Sequence, residues 1–519
     1  MTNRDTFLPK HLLRNFSIVG LWTLLSRILG FIRDLLIAVF LGSGPVAEAF
    51  LVAFTLPNMF RRLFAEGAFN TAFIPMLSKK IRSNNSPEEF ASDALSLLIA
   101  ILLILIATAE IIMPLLVYGT ASGFSMDYRF DLSVIFGRVM FPYIFFISIS
   151  AFLGGILNSL NRYSAAAAAP LLLNLFFIFS LLFAYFYELN FGWALTICVP
   201  LAGLCQLSLL IIFLKKERFL LKIRIPKLTP EMLRLIKIAI PAALAGGVIQ
   251  INLVVGRQVA SYFEGAVAWL NYADRIYQLP LGVVGIAIGI VLLPNLSEKA
   301  SKKIASENNN IINRSTEFAL FLTLPATAAL LILPYPIINI LFERGAFTTV
   351  DTINTSNALF IYAIGLPAFV FQKIFSTIYF SHGDTQTPFK FALVGMATNL
   401  VLAVGLANVI GYLSSAVGTT LSGWLIAFLL WKNSKNFNFY FDSKFKAVFF
   451  KLLLSCFSLS IFMFSIVYLL SEILTEITTK TLAFTLIIST SFAFYLYICK
   501  ILGLKKSLIR RQTPDIHKT

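Results

Sequence analysis

The stretch SRILGFIRD, Ser26–Asp34, lies inside an apolar run from Phe16 to Leu41. At roughly 20 residues per crossing, the run is long enough to span a bilayer. It nevertheless carries Arg27, Arg33 and Asp34. A charge near the middle of a span costs about 2.5–3.5 kcal/mol, so three at the centre would cost roughly 8–10 kcal/mol. Such a helix is expected to turn its charges toward a wet cavity or a partner of opposite sign, and away from lipid. The next run adds Glu48, Arg61, Arg62 and Glu66. Snorkelling near a helix end, with an ordinary i,i+4 pair between Arg62 and Glu66, covers the last three of these as well as a functional role does. It covers Arg27 poorly, because Arg27 has long apolar flanks on both sides.

Composition generalises this reading to the whole chain. Of 519 residues, 58% are hydrophobic and only 13% charged, and the mean hydropathy is +0.83. Soluble domains run near 25% charged. The chain is therefore expected to be an all-α polytopic membrane protein. A net charge of +17 raises nucleic acid as a partner, but the cations sit in short loops between apolar runs, which is the pattern of cytoplasmic loops. The first apolar run holds internal charges and no small-residue cleavage site follows it, so it is expected to be the first span and not a leader. Cys198, Cys205, Cys456 and Cys499 all fall in apolar runs and read as small buried hydrophobes. His11, His382 and His517 are scattered. Neither set suggests a metal centre, a cofactor or a triad.

Spanning-length apolar runs fall at about fourteen places along the chain. An even count puts both termini on one side. Lys79, Lys80, Arg82, Arg162, a cluster from Lys215 to Lys227, Lys299, Lys302, Lys303 and Lys432 to Lys446 occupy alternate loops, while the loops between are nearly bare. The positive-inside rule then places both termini in the cytoplasm. The chain also repeats. AFL at Ala49–Leu51 recurs as AWL at Ala268–Leu270, and IPMLSKK at Ile74–Lys80 recurs as LPNLSEK at Leu293–Lys299, both shifted by 219 (268 − 49). Pro114 and Pro334, and Pro170 and Pro388, keep nearly the same offset. The expectation is 14 transmembrane helices: two pseudo-symmetric six-helix bundles related by an axis along the membrane normal, plus two C-terminal helices. In residues, that is an N-terminal bundle at 1–224, a second bundle at 225–440, and helices 13 and 14 with a basic tail at 441–519.

Two bundles meeting at a polar seam is the architecture of an alternating-access carrier. The charges set inside spans cluster in the first two spans of each half. Arg27, Arg33, Asp34 and Glu48 come from the first half, and Arg257, Asp274 and Arg275 from the second. Arginines outnumber the carboxylates that could neutralise them. A cavity with surplus positive charge suits an anion, and guanidinium forks suit phosphate oxygens. An exporter of organic cations would more naturally line its cavity with carboxylates.

At this point SRILGFIRD, AFLVAFTLPNMFRRLFAEGAFNTAFIP (Ala49–Pro75), FPYIFFISISAFLGGILNSLNRYSAAAAAP (Phe141–Pro170), NYADRIYQLPLGVVGIAIGIVLLP (Asn271–Pro294) and LFERGAFT (Leu341–Thr348) together resemble the MurJ (MviN) family of lipid II flippases. That family belongs to the multidrug/oligosaccharidyl-lipid/polysaccharide exporter superfamily. The resemblance covers about residues 15–430. It implies transport, with no enzyme activity, of undecaprenyl-diphosphate-linked disaccharide pentapeptide from the cytoplasmic to the periplasmic leaflet of the inner membrane. By residue it implies cavity arginines at Arg27, Arg33, Arg61 and Arg275, with polar and acidic partners at Asp34, Glu48, Asn58 and Glu66. Asp274 joins the candidate site from its place inside a span, although it neighbours Arg275 and the two side chains must diverge. Glu48 stands where the family often has Asp, and Ala268 where it often has Ser. The family's cation ligand in the eleventh span has no counterpart between Phe389 and Ile410, so no metal site is carried over. The implied partners are lipid II, membrane lipids and peptidoglycan synthesis proteins, and spans 13 and 14 would hold the lipid tail. The rival readings are an exporter of another polyprenyl-diphosphate glycolipid, a multidrug exporter of the same superfamily, and an intramembrane enzyme on polyprenyl phosphates. The last lacks the clustered carboxylates or His/Asp base that its chemistry needs.

Overall fold

The computed structural model describes residues 10–62, 69–287, 305–469 and 477–504. These residues form helices and short connections, with no strand among them. In lipid every backbone polar group needs a partner inside its own segment, and long apolar runs satisfy this as helices. In chain order the helices are α1 (Lys10–Leu41), α2 (Pro45–Arg61), α3 (Asn70–Ser83), α4 (Pro87–Ile111), α5 (Met113–Ala121), α6 (Arg129–Met140), α7 (Tyr143–Ser159), α8 (Ser164–Phe186), α9 (Phe191–Lys216), α10 (Pro230–Ala260) and α11 (Ala266–Ala287). After them come α12 (Ala305–Ile332), α13 (Pro334–Phe342), α14 (Thr349–Ser381), α15 (Gln386–Gly405), α16 (Leu413–Ser434), α17 (Ser443–Leu469) and α18 (Ile477–Ile501). Among the described residues nine helices are long and apolar enough to cross a membrane. A tenth crossing arises if α6 and α7, bent by 41° at Phe141–Pro142, count as one.

Several runs that read as single spans are broken. The run through Pro114 stops at Ile111 and restarts at Met113. The run through Pro334 stops at Ile332 and restarts at Pro334. Each proline sits in the first turn of the new helix, where its missing N–H leaves nothing unsatisfied. Helix starts recur at a near-constant shift: α2 to α11 by 221 (266 − 45), α5 to α13 by 221 (334 − 113), α9 to α16 by 222 (413 − 191).

The chain divides into two compact units. Unit 1 comprises Met1–Ala268 and Arg344–Thr348. In it α1 lies along α8, α8 and α7 pack on α9, α2 packs on α6, and α10 packs on α5 and α3. Phe50, Phe73, Phe136, Phe152 and Phe177 are among its largest fully buried side chains. The rings of Phe73 and Phe152 lie 4.5 Å apart. Burying a Phe side chain stabilises by about 1.5–3 kcal/mol when water is the alternative.

Unit 2 comprises Trp269–Glu343 and Thr349–Thr519. There α14 and α15 pack on α16, α12 on α14, and α17 on α12 and α18. Its core joins Ile312, Val370, Ile374, Phe375, Tyr379, Leu430 and Phe439. The segment before α17 is clamped to α12 by polar bonds. Asn313 Nδ2 donates to the Tyr440 carbonyl at 3.0 Å. Arg314 bridges Glu317 and Asp442, each at 2.5 Å. The Tyr495 hydroxyl of α18 donates to the Phe321 carbonyl at 2.8 Å. Both C-terminal helices are thereby tied to α12.

Candidate substrate-binding site

The intramembrane charges of α1 separate into an exposed group and a committed one. Arg33 is committed. Its Nε and Nη2 donate to Asp34 Oδ1 at 2.9 and 2.7 Å, and its Nη1 donates to Asn174 Oδ1 on α8 at 3.0 Å. Asn174 Nδ2 donates in turn to the Ser26 carbonyl at 2.9 Å. The guanidinium also lies over the Phe177 ring, 5.3 Å from its centroid. Arg33 and Asp34 side chains are each 11% exposed. One charged pair and one amide thus knit α1 to α8, leaving little guanidinium surface for a ligand.

Arg27 behaves differently. It is exposed, and it has no hydrogen-bond partner among the described residues of unit 1. The exposed apolar residues of α1 are Leu21, Leu24, Leu25, Ile28 and Ile32, a stripe at i, i+3, i+4 spacing. At about 100° per residue, Arg27 falls roughly 120° from the middle of that stripe. Thr23 and Gly20 are its neighbours on the same side. The one exposed cation of the span therefore points away from the face suited to acyl chains.

Glu48, at the start of α2, is fully buried. Its Oε2 accepts from Arg129 Nη1 at 2.6 Å, and its Oε1 accepts from the Val267 backbone N–H at 3.0 Å. Arg129 lies 4.3 Å over the Phe124 ring, and its Nη2 donates to Asp127 Oδ2 at 2.6 Å. Asp127 lies in the turn before α6, and the guanidinium beside it holds its carboxyl below the ordinary value of 3.8. Both oxygens of Glu48 are engaged, by Arg129 and by the first turn of α11, which leaves neither for a ligand.

Asn58 and Arg61 lie one turn apart near the end of α2, both half-buried. Asn58 Nδ2 donates to the Phe54 carbonyl at 2.9 Å. Pro57, just before it, supplies no N–H, so the backbone here already departs from a complete helical ladder. Glu66 lies outside the described residues. In unit 2, Asp274 and Arg275 are half-buried on α11. The Asp274 carboxylate accepts from Gln278 Nε2 one turn on. Among the described residues no three His, Cys, Asp or Glu side chains converge as metal ligands would.

The structure thus joins Arg33 to Asp34, and attaches Glu48 to a residue that sequence reasoning passed over. Arg129 did carry a signal. It is a cation in a loop otherwise free of Lys and Arg, flanked by Asp127 and Asp131, and a lone arginine on that side needs a local reason. Asn174 carried none, since an amide in an apolar helix announces no partner 141 residues away.

Known proteins match this chain over most of its length. The family model described as lipid II flippase MurJ matches residues 37–493. The probable lipid II flippase MurJ of Rhizobium tropici is 45% identical over 423 residues, covering 80% of this chain and 79% of that protein. The probable lipid II flippase MurJ of Rickettsia prowazekii is 35% identical over 506 residues, covering 96% of this chain and 99% of that protein. A solved structure of a lipid II flippase MurJ in an inward closed conformation superposes with a TM-score of 0.80 at 26% identity, covering 95% of this chain and 100% of that one. An inward-facing multidrug resistance MATE family transporter of the MOP superfamily gives a TM-score of 0.64 at 16% identity, covering 81% and 95%, a likeness of fold.

Proposed function

The chain belongs to the MurJ family of lipid II flippases, and from that premise we propose that Arg27 is the free phosphate-binding group of a cavity through which lipid II crosses the membrane. The protein is a multi-pass transporter of the bacterial inner membrane and not an enzyme. It moves undecaprenyl-diphosphate-linked disaccharide pentapeptide to the periplasmic leaflet for peptidoglycan synthesis, and so serves cell-wall growth and cell shape. The observation that carries the cavity reading is Arg27 itself: exposed, unengaged among the described residues of unit 1, and turned off the apolar stripe of α1. A guanidinium so placed inside a span offers a bidentate fork to phosphate oxygens.

Around this group we place Arg61, Asn58 and Glu66 from the second span and Asp274 and Arg275 from α11. Arg33, Asp34 and Glu48 set the geometry from behind. The near-constant shift of helix starts supports two six-helix bundles, 1–224 and 225–440, followed by two further helices at 441–519. The distribution of loop cations supports 14 crossings with both termini cytoplasmic. Alternating access then follows from rocking one bundle against the other, and peptidoglycan synthesis proteins are the natural suppliers and consumers of the cargo.

The test is a leaflet-accessibility assay with labelled lipid II in proteoliposomes. The protein should expose labelled lipid II at the opposite leaflet, and Arg27→Ala should not. Transfer at the wild-type rate by Arg27→Ala would remove the group on which the site is built. Failure of the wild-type protein to move lipid II, with transfer of another polyprenyl-diphosphate glycolipid, would replace the cargo.

A further inference from the structure

Between α9 and α10 the chain is neither helix nor ordinary loop. Residues 219–229 carry no regular secondary structure and run alongside the first turns of α4, every second N–H meeting a side chain one helical turn further on. The backbone N–H of Leu220 donates to Glu88 Oε1 at 3.1 Å, that of Lys222 to Ser92 Oγ at 3.1 Å, and that of Arg224 to Ser96 Oγ at 2.9 Å. Two residues of extended chain advance about 6.6 Å, and four residues of helix advance about 6.0 Å. The two periods match closely enough for three successive bonds. Each serine also donates to the carbonyl one turn back, Ser92 to Glu88 at 2.6 Å and Ser96 to Ser92 at 2.8 Å, so both hydroxyls are fully used and both are buried.

Depth follows from α4. Its 25 residues extend about 37 Å, some 7 Å more than a hydrocarbon core of roughly 30 Å. Ser96 is about 12 Å further along the axis than Glu88. That distance of about 12 Å exceeds the whole overhang of about 7 Å, so the segment descends beside a crossing helix from the headgroup level to the first part of the acyl chains. Its inward N–H groups take side-chain acceptors there, as they must where water thins out. Arg224 reaches back up toward the helix start, to Glu89 at 3.0 Å and Asp93 at 3.7 Å, as a snorkelling side chain does.

What this strap shows outward is apolar and cationic. Ile223, Ile225 and Leu228 are 74%, 84% and 64% exposed, and Lys222 and Lys227 are exposed between them. We propose that the strap at 219–229 is a membrane-surface site, with Ile223, Ile225 and Leu228 seated among acyl chains and Lys222 and Lys227 on the phosphates of anionic lipid headgroups. Apolar side chains at this depth gain by leaving water, and each cation near an anionic surface adds to the attraction. The strap lies on the side that carries the cationic loops, so its partner is the anionic leaflet there.

The test uses the full-length protein in nanodiscs of phosphatidylcholine and phosphatidylglycerol, in a Cys205→Ser background. A nitroxide is attached at Ile225→Cys and, as the water-side reference, at Asn85→Cys, in the exposed turn before α4. The label at 225 should collide with oxygen several-fold more than with a water-soluble nickel chelate, and the label at 85 should show the reverse order. Equal nickel access at the two positions would overturn the proposal. The headgroup contact has its own readout. Lys222→Gln with Lys227→Gln should lower the ratio of phosphatidylglycerol to phosphatidylcholine retained through detergent purification. An unchanged ratio would show that the lysines do not hold anionic headgroups.

Discussion

Two arginines six residues apart on one helix do different work, and the difference can be measured. Arg33 is spent on Asp34 and Asn174, whereas Arg27 is exposed and unengaged among the described residues of unit 1. Arg27→Ala is therefore expected to abolish complementation of flippase-depleted cells at normal expression while leaving protein level and thermal midpoint unchanged. Arg27→Lys should restore part of the function, since it keeps the charge but loses the fork. Growth at the wild-type rate with Arg27→Ala would reject the role. Arg129 should show the opposite pattern. Removing it strands the fully buried Glu48 carboxylate, and breaking such a pair costs about 3–5 kcal/mol, visible as a large drop in thermal midpoint in detergent. Arg129→Ala with Glu48→Gln should recover much of that loss. The third member of the chain, Asp127, has its carboxyl held below the ordinary 3.8 by Arg129. Its contribution is thus complete above about pH 4 and fades as pH falls through the lower folded value. Thermal midpoints of wild type and Asp127→Asn should differ at neutral pH and converge in acid. A constant gap would mean that the carboxylate charge plays no part.

At the scale of elements, the unforeseen features are breaks and close approaches. The C-terminal end of α10 meets the turn after α5: Gly123 N–H donates to Ser261 Oγ at 2.9 Å, and a Cβ on Gly123 would stand 2.5 Å from the Ser261 carbonyl carbon. Backbone on both sides leaves nowhere to yield, so Gly123→Ala is expected to lower the thermal midpoint and impair transport. Gly20→Ala on α1, where nothing lies within 4 Å of the new methyl, should be neutral or slightly stabilising. Equal midpoints for the two variants would contradict the contact. The apolar runs made the helical membrane class legible, and charges inside them made Arg27, Arg33 and Asp34 stand out. The interruptions at Ile112 and Leu333 were not legible, because a proline in a spanning run reads equally as a kink or a restart. Nor were the partners of the charges. Arg129 lies 81 residues from Glu48 and Asn174 lies 141 from Arg33, and no local pattern encodes such separations. The strap between α9 and α10 was visible only as a basic loop, since its match to Ser92 and Ser96 depends on two periods meeting in space.

For the whole molecule, the sign of its charge bears on how transport is driven. The cations of the sequence lie on alternate loops, and the proposed orientation puts those loops on the cytoplasmic side, which is the negative side of an energised membrane. The cargo is a lipid diphosphate, an anion carried outward from that side. Each elementary charge that crosses the full field gains about 2.3 kcal/mol per 100 mV. An anion leaving a negative interior moves downhill, and the proposed cavity, left with Arg27 unneutralised, would be drawn back inward by the same field. Loading and return would then both be favoured by one gradient. Rocking about Pro241 and the glycines after it in α10 would supply the motion. Dissipating the potential with an ionophore at constant pH in proteoliposomes should slow lipid II transfer by roughly tenfold per 1.4 kcal/mol removed. Reversing the imposed polarity should bias net transfer the other way. Rates that ignore both manipulations would separate the driving force from the potential and require an ion gradient in its place.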